Sequence, residues 1–275
     1  MMKNFKIVVE YDGTNFAGWQ VQKNGITVQG ELQKAISVIL NQQVKVIGSG
    51  RTDSGVHALG QVANFHANTN ISSDNLLKGV NSIIKTPIVI KSCNIVSSDF
   101  HARYSSLSKE YHYYILNSTI PWVLGKDYIW YIKAPLNIDI MKQCCEMLTG
   151  EHDFKSFEAS GSPRSHTIRT IYSADIDYIG NIAISPFQTS SDILALYPHR
   201  LPFIGRSMEK IVLFKIEGNG FLRFMVRNIV GTLVMAGLSK ITPNDFRYIL
   251  EAKNRDLAGA TAPARGLFLT SVNYD

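Results

Sequence analysis

The stretch VKVIGSGRTDSGVHALGQVANF, residues 44–65, reads as two strand-like runs on either side of a polar loop. The β-branched and aromatic residues at Val44–Ile47 and Val62–Phe65 favour extended chain, and the glycines at 48, 50 and 55 interrupt any strand interior between them. The loop Gly50-Arg51-Thr52-Asp53-Ser54-Gly55 carries one guanidinium and one carboxylate, so it can present Asp53 into a cleft. On pattern alone, Asp-Ser-Gly is equally an ordinary Asx-turn.

Working outward, the first half opens with a strand at Phe5–Tyr11 and a turn at Asp12-Gly13. Val28, Leu32, Ala35, Ile36, Ile39 and Leu40 recur at three-to-four spacing, which predicts a helix over 28–41. A helix near 73–84 and a strand near 88–96 complete this half. The second half begins with a strand at Glu110–Leu116, then a helix near 137–149 ended by Gly150, and strands near 168–178 and 209–217. Helices at 221–238 and 243–252 and a last strand at Leu267–Val272 follow. Both halves, 1–106 and 107–275, therefore read as α+β units with mainly antiparallel sheets. In the 221–238 helix, Phe221, Met225, Ile229 and Leu233 form one stripe, while Arg223 and Arg227 stand four apart on another face. Gly218-Asn-Gly220 reads as the connection into that helix, since a phosphate-binding loop would need further glycines or a Lys-Ser/Thr.

The 275 residues are 45% apolar and 18% charged, a globular balance that excludes a disordered tail or a fibre. A net charge of +6 inclines the chain toward polyanionic partners. Cys93, Cys144 and Cys145 are odd in number and lack CxxC spacing, which argues against a disulfide framework or a cysteine-rich zinc site and for a reducing compartment. The start of the chain reads as a strand and not as a secretory signal, so a cytoplasmic protein is expected. The apolar run Met225–Leu238 carries Arg227 and Asn228 and falls short of the ~20 residues a membrane span needs, so it reads as a buried helix. The seven histidines show no HExxH, the zinc-deaminase signature is missing, and Ser54 with His57 has no support as a hydrolase pair. Tyr111 and Tyr113 share one face of their strand, where aromatic residues most often fill a core but can also form a stacking platform.

The segment GRTDSGVHALGQV resembles the catalytic segment of the TruA-type pseudouridine synthases, whose pattern is G-R-T-D-x-G-V-H. The resemblance continues at Glu10-Tyr-Asp-Gly13 with Gly18-Trp19-Gln20, at Asp99-Phe-His-Ala-Arg103, and at Lys109-Glu-Tyr111-His-Tyr113. It runs on through Gly220-Phe-Leu-Arg-Phe-Met-Val-Arg-Asn228-Ile-Val-Gly231 and Ala262 through Leu267. The family resemblance implies two RRM-like (ferredoxin-like) halves whose sheets join around a basic catalytic cleft, and a homodimer. It implies uridine-to-pseudouridine isomerisation in the anticodon arm of tRNA, at positions 38 to 40, with no cofactor and no metal.

Carried over by residue, the resemblance makes Asp53 the nucleophile with Arg51 beside it. It packs Tyr111 on the target base, pairs Arg227 with the catalytic carboxylate, and sets Leu267 against the flipped nucleotide. The chemistry agrees: the C1′–N1 bond breaks and C1′ rejoins C5, which needs a carboxylate but no redox group. An arginine holds such a carboxylate ionised and fixes it by bidentate bonding better than a lysine would. Arg103, Lys109, Arg164, Arg169 and Arg223 are candidate RNA contacts, and His57, His101 and His112 read as hydrogen-bonding groups near RNA. The chain departs from the family at an insertion near 178–207, too apolar for a solvated linker, expected to pack on the sheet rim, cover tRNA or join a subunit interface. A noncatalytic RNA-binding protein of the same fold, or a synthase acting on another uridine, would share many of these features.

Overall fold

The computed structural model describes residues 2–161, 166–179 and 210–275. Arg164 and nearly all of the insertion lie outside these residues. The chain divides into two compact units, Met1–Tyr111 with Phe268–Asp275, and His112–Leu267. The architecture is mixed α and β with mainly antiparallel strand pairing.

In the first unit, β1 (Met2–Tyr11) is flanked by β3 (His57–Asn68) and β4 (Ile88–Val96), both antiparallel to it. The two-residue β2 (Ile47–Gly48) pairs with β3 at Asn64 and Ala63. β10 (Leu267–Asn273) returns at the end of the chain to run parallel to the start of β3, with Phe268 opposite His57. Alternation along β1 buries Phe5, Ile7, Val9 and Tyr11. Phe5 is the direct cross-strand partner of Phe65, and their rings stack at 5.3 Å. α1 (Val28–Leu40) buries Val28, Leu32, Ala35 and Ile36, and α2 (Ser73–Ile83) buries Leu76 and Val80. Each of these side chains larger than Ala35 contributes roughly 1.5–3 kcal/mol by leaving water.

The strand expected at Val44–Ile47 is a correction: residues 44–46 are irregular, and ladder pairing begins only at Ile47. Side chains of α1 account for the difference. Gln29 Nε2 donates to the Val46 carbonyl at 2.8 Å, Gln33 Oε1 accepts from the Val46 amide at 3.1 Å, and Ser37 Oγ accepts from the Val44 amide at 3.3 Å. With its backbone groups taken by the helix, this segment has no need of a strand partner.

The second unit holds β6 (Trp130–Ile132), β7 (Gly150–Asp153), β8 (Ile168–Ile179), β9 (Lys210–Gly218) and the later residues of β5 (Ser108–Asn117). Neighbours run β5–β9–β8–β7, with β6 parallel to β5. α3 (Ile138–Glu146) starts at an Asn137 cap and stops short of the expected residue 149. Gly150, at φ +110°, opens β7 and does not cap the helix. α4 (Met225–Gly237) is buried over most of its circumference, as the apolar run predicts, and α5 (Pro243–Glu251) carries a Thr242–Asp245 capping box. α4 begins four residues later than expected, so Arg223 precedes the helix and shares no helix face with Arg227. Among the described residues no helix is long and apolar enough to cross a membrane.

One buried polar bridge positions the segment that carries Arg103. Asn64 Nδ2 donates to Asn4 Oδ1 at 3.0 Å, and Asn64 Oδ1 accepts from the Ala102 amide at 2.9 Å. Asn4 in turn donates to the carbonyls of Ser97 and Phe100, both at 2.9 Å. Asn64→Ala strands these groups away from water and is expected to lower unfolding free energy by about 2 kcal/mol, read as a lower urea midpoint.

Candidate active site

The loop 49–56 between β2 and β3 is held at its base by Gln61, which is fully buried. Ser49 Oγ donates to Gln61 Oε1 at 2.6 Å, and Gln61 Nε2 donates to the Gly50 carbonyl at 3.1 Å. Its middle is held through Thr52. The Thr52 hydroxyl lies 2.7 Å from the Tyr11 hydroxyl, and the Thr52 carbonyl accepts from the Trp19 amide at 3.1 Å. Its far side turns tightly: the Val56 amide donates to the Asp53 carbonyl at 3.2 Å, with Gly55 at φ +77°. Ser54 Oγ donates to the Phe16 carbonyl at 3.0 Å.

Two glycines outside the loop make this fit possible. A Cβ at Gly13 would overlap the Val56 carbonyl, and one at Gly18, where φ is +103°, would come 2.8 Å from the Thr52 carbonyl oxygen. The Glu10–Gly13 and Gly18–Gln20 motifs are therefore the bed on which the Asp53 loop lies.

Asp53 is half-buried and Arg51 exposed. Tyr111, 7% exposed, is close enough to Asp53 for the two to interact electrostatically. Burial pushes the Tyr111 phenol well above its ordinary range, and the neighbouring Tyr11 phenol and Asp53 carboxylate add to the rise. Burial raises Tyr11 in the same sense, partly offset by hydrogen bonds to Thr52 and Gln61. Both phenols stay neutral at ordinary pH, so they add no charge beside the carboxylate.

Lys109, named above as a candidate RNA contact, is only 8% exposed and packs along Gly50, its Nζ donating to Ser106 Oγ at 2.8 Å. Burial, with a smaller contribution from Arg103, lowers its ammonium to about 8. Arg103 is exposed. His57 is a correction: it is 1% exposed, accepts from the Gly13 amide at 3.0 Å and stacks on Phe268 at 4.6 Å, so it is a core group closed to RNA. His101 Nδ1 accepts from the Arg103 amide at 3.1 Å and shapes that turn.

Arg223, Arg227 and Leu267 belong to the second unit, whereas Arg51, Asp53, Arg103 and Tyr111 belong to the first. Arg227 is half-buried in the first turn of α4; its Nε donates to the Ala262 carbonyl at 2.7 Å, and its own carbonyl accepts from the Ala262 amide at 3.1 Å. Tyr113, fully buried, donates to the Pro263 carbonyl at 2.7 Å. Together they fasten the segment that leads to the buried Leu267. The Arg169 guanidinium folds back on the carbonyls of His166 and Ile168. Sequence reasoning assigned no role to Tyr11, Thr52 or Gln61. Phe224, at φ +62° with the guanidinium carbons of Arg223 and Arg227 each 4.9 Å from its ring centroid, was likewise missed.

The tRNA pseudouridine synthase family model matches residues 7–105 and 144–275. Proteins named tRNA pseudouridine synthase A from Thermoanaerobacter sp. strain X514 and Acetivibrio thermocellus are 44% and 39% identical, each over 99% of this chain and 100% of the relative. The relative of that name from Pseudothermotoga lettingae is 38% identical over the same shares. A likeness to a chain of an archaeal box H/ACA sRNP Nop10–Cbf5 complex is weak and carries nothing further, with a TM-score of 0.34 and 12% identity over 92% of this chain and 59% of that one.

Gly13→Ala forces a methyl into the Val56 carbonyl and is expected to cost about 1–3 kcal/mol of stability, read from urea denaturation. Lys109 supplies a pH signature. Its folded value lies below the roughly 10.4 of an unfolded lysine, so between about pH 8 and 10 the unfolded chain holds a proton the folded protein has released. Stability from this group therefore rises with pH across that window. Lys109→Met is expected to shrink the gain in urea midpoint between pH 7.5 and 9.5; an equal gain in both proteins contradicts the assignment.

Proposed function

The chain belongs to the tRNA pseudouridine synthase family, and from that premise we propose that it isomerises uridine to pseudouridine in the anticodon stem-loop of tRNA, at positions 38 to 40, with Asp53 as nucleophile and no cofactor. The observation that carries the reading is the setting of Asp53: a half-buried carboxylate on a loop clamped by Tyr11, Trp19 and Gln61, close enough to the buried Tyr111 phenol to interact with it electrostatically. The reaction detaches uracil from C1′, turns it, and rejoins C1′ to C5, with the C5 proton lost and N1 protonated. Nothing leaves the site, so the enzyme must hold the free base while it turns. Attack on the sugar or on the base places the same demand on a single carboxylate fixed beside the nucleotide.

In this reading Tyr111 supports the base, Arg51 flanks the nucleophile and Arg227 supplies the guanidinium that pairs with it. Leu267 gives an apolar contact to the extruded nucleotide. The target uridine leaves its stack before Asp53 reaches it, at a cost of a few kcal/mol that contacts to the RNA backbone offset. The exposed Arg103 and Arg223 are suited to those contacts. In the first unit, β1-α1-β2-β3-α2-β4 with β4–β1–β3 side by side supports an RRM-like half, since that order belongs to β-α-β-β-α-β domains. We extend the reading to a second such half, a basic cleft, a homodimer and a cytoplasmic location, to which three buried free thiols are suited.

Asp53→Asn is expected to reduce single-turnover pseudouridine formation on unmodified tRNA transcript by on the order of a thousandfold or more while the dissociation constant for tRNA stays within about threefold. Near wild-type turnover by this variant would remove Asp53 from the mechanism.

A further inference from the structure

A cavity of about 500 Å³ opens in the second unit at the entry to α4, lined among others by Arg223, Phe224, Arg255, Asp256, Ser160 and Thr261. We propose that this cavity receives one unpaired nucleotide of the RNA substrate, its base against Phe224 and its phosphate on Arg223. The inference rests on the RNA-modifying reading above and adds to it a nucleotide subsite built by residues of the second unit.

The size suits the proposal, since pockets for nucleotide-sized ligands run to roughly 300–1,000 Å³. The wall is built and not incidental. Arg255 donates to the Ala258 carbonyl at 3.1 Å, to Asn228 Oδ1 at 3.0 Å and to Thr261 Oγ1 at 3.2 Å, and Asn228 is itself fully buried. Burial lowers the Arg255 guanidinium and the Asp256 carboxylate works against that shift. Arg223, exposed, is left to attract an anion. Asp256 at the rim repels a bare phosphate but accepts from the N–H donors of a base, which favours a nucleotide over an inorganic ion.

Phe224 is the feature a merely structural account leaves unexplained. It caps α4 at φ +62° and ψ 1°, a left-handed conformation that glycine and asparagine adopt readily and phenylalanine rarely does. The surroundings fix it there: the Asn228 amide donates to the Phe224 carbonyl at 2.8 Å, and the Ala159 amide to the Arg223 carbonyl at 2.9 Å. Strain of this kind concentrates at binding sites. The result is a half-buried ring between two guanidiniums. Arg227 is tied by its Nε to the Ala262 carbonyl, whereas Arg223 is exposed and can move from the ring to a phosphate, yielding the ring face to a base.

Phe224→Asn tests this in the full-length protein, because asparagine tolerates the backbone and removes the ring. The expected result is a melting temperature equal to or above wild type, with binding of unmodified tRNA transcript about tenfold weaker. Arg223→Gln is expected to weaken the same binding and to lower the slope of log affinity against log salt by about one. If Phe224→Asn binds transcript as wild type does, or loses turnover with its dissociation constant unchanged, the cavity is no RNA subsite and Phe224 acts solely through Arg227. Pseudouridine formation by wild-type protein is measured in parallel. Its absence would overturn the proposed function, whereas loss of binding in Phe224→Asn would still stand as evidence for the subsite.

Discussion

The close passage of one backbone over another governs the first unit. The segment containing Gly13 and Gly18 lies against the loop that carries Asp53, at a separation that leaves no room for a side-chain carbon on either glycine. Once that approach is made, the Trp19 amide reaches the Thr52 carbonyl and the Tyr11 hydroxyl reaches the Thr52 side chain. Asp53 therefore takes its position from strand β1 and the loop after it, and not from local turn propensity. A turn stabilised only by its own Asx bonding would move with solvent; this one is bonded on three sides to buried groups.

The same economy explains His57. A histidine four residues after an aspartate and three after a serine invites a catalytic reading, yet here its ring accepts the Gly13 amide and stacks on Phe268. It ties the start of β3 both to the β1 turn and to the returning end of the chain at β10. The polar atoms around the loop thus divide into a supporting set, comprising His57, Gln61, Thr52 and Tyr11, and Asp53 itself. Support of this kind keeps a carboxylate within the small tolerance that a bond-exchange reaction demands.

Much of the fold was legible because most elements carry their own period. The alternation of Phe5–Tyr11 and the three-to-four spacing from Val28 each describe one element seen in the structure. The Asp53 loop was legible through the resemblance of its flanking residues, because its glycines and polar residues alone read as an ordinary turn. Where the reading failed, a side chain remote in sequence had changed the backbone's accounting. Val44–Val46 has strand composition, but Gln29 and Gln33 supply the hydrogen bonds a neighbouring strand would have given. The start of α4 was misplaced because nothing local announces a left-handed phenylalanine. Lys109 reads in the sequence as a candidate RNA contact, and only the packing of its stem along Gly50 shows that it is buried.

The pair Arg227-Asn228 shows how adjacent polar residues in an apolar helix take separate duties. Asn228 is fully buried, donates to the Phe157 carbonyl at 2.8 Å and accepts from Thr261 and Arg255, so it joins three segments of the second unit. Gly231 one turn later lets the 258–262 segment come down on the helix, where a Cβ would overlap the Ala260 carbonyl. That descent brings the Ala262 carbonyl to Arg227, which binds it through Nε and is thereby oriented by the fold before any ligand arrives. A guanidinium bonded through Nε is fixed in its plane as well as in position, which the single rotatable ammonium of a lysine would not be. Asparagine and glycine in this helix are therefore the structural cost of presenting one oriented guanidinium.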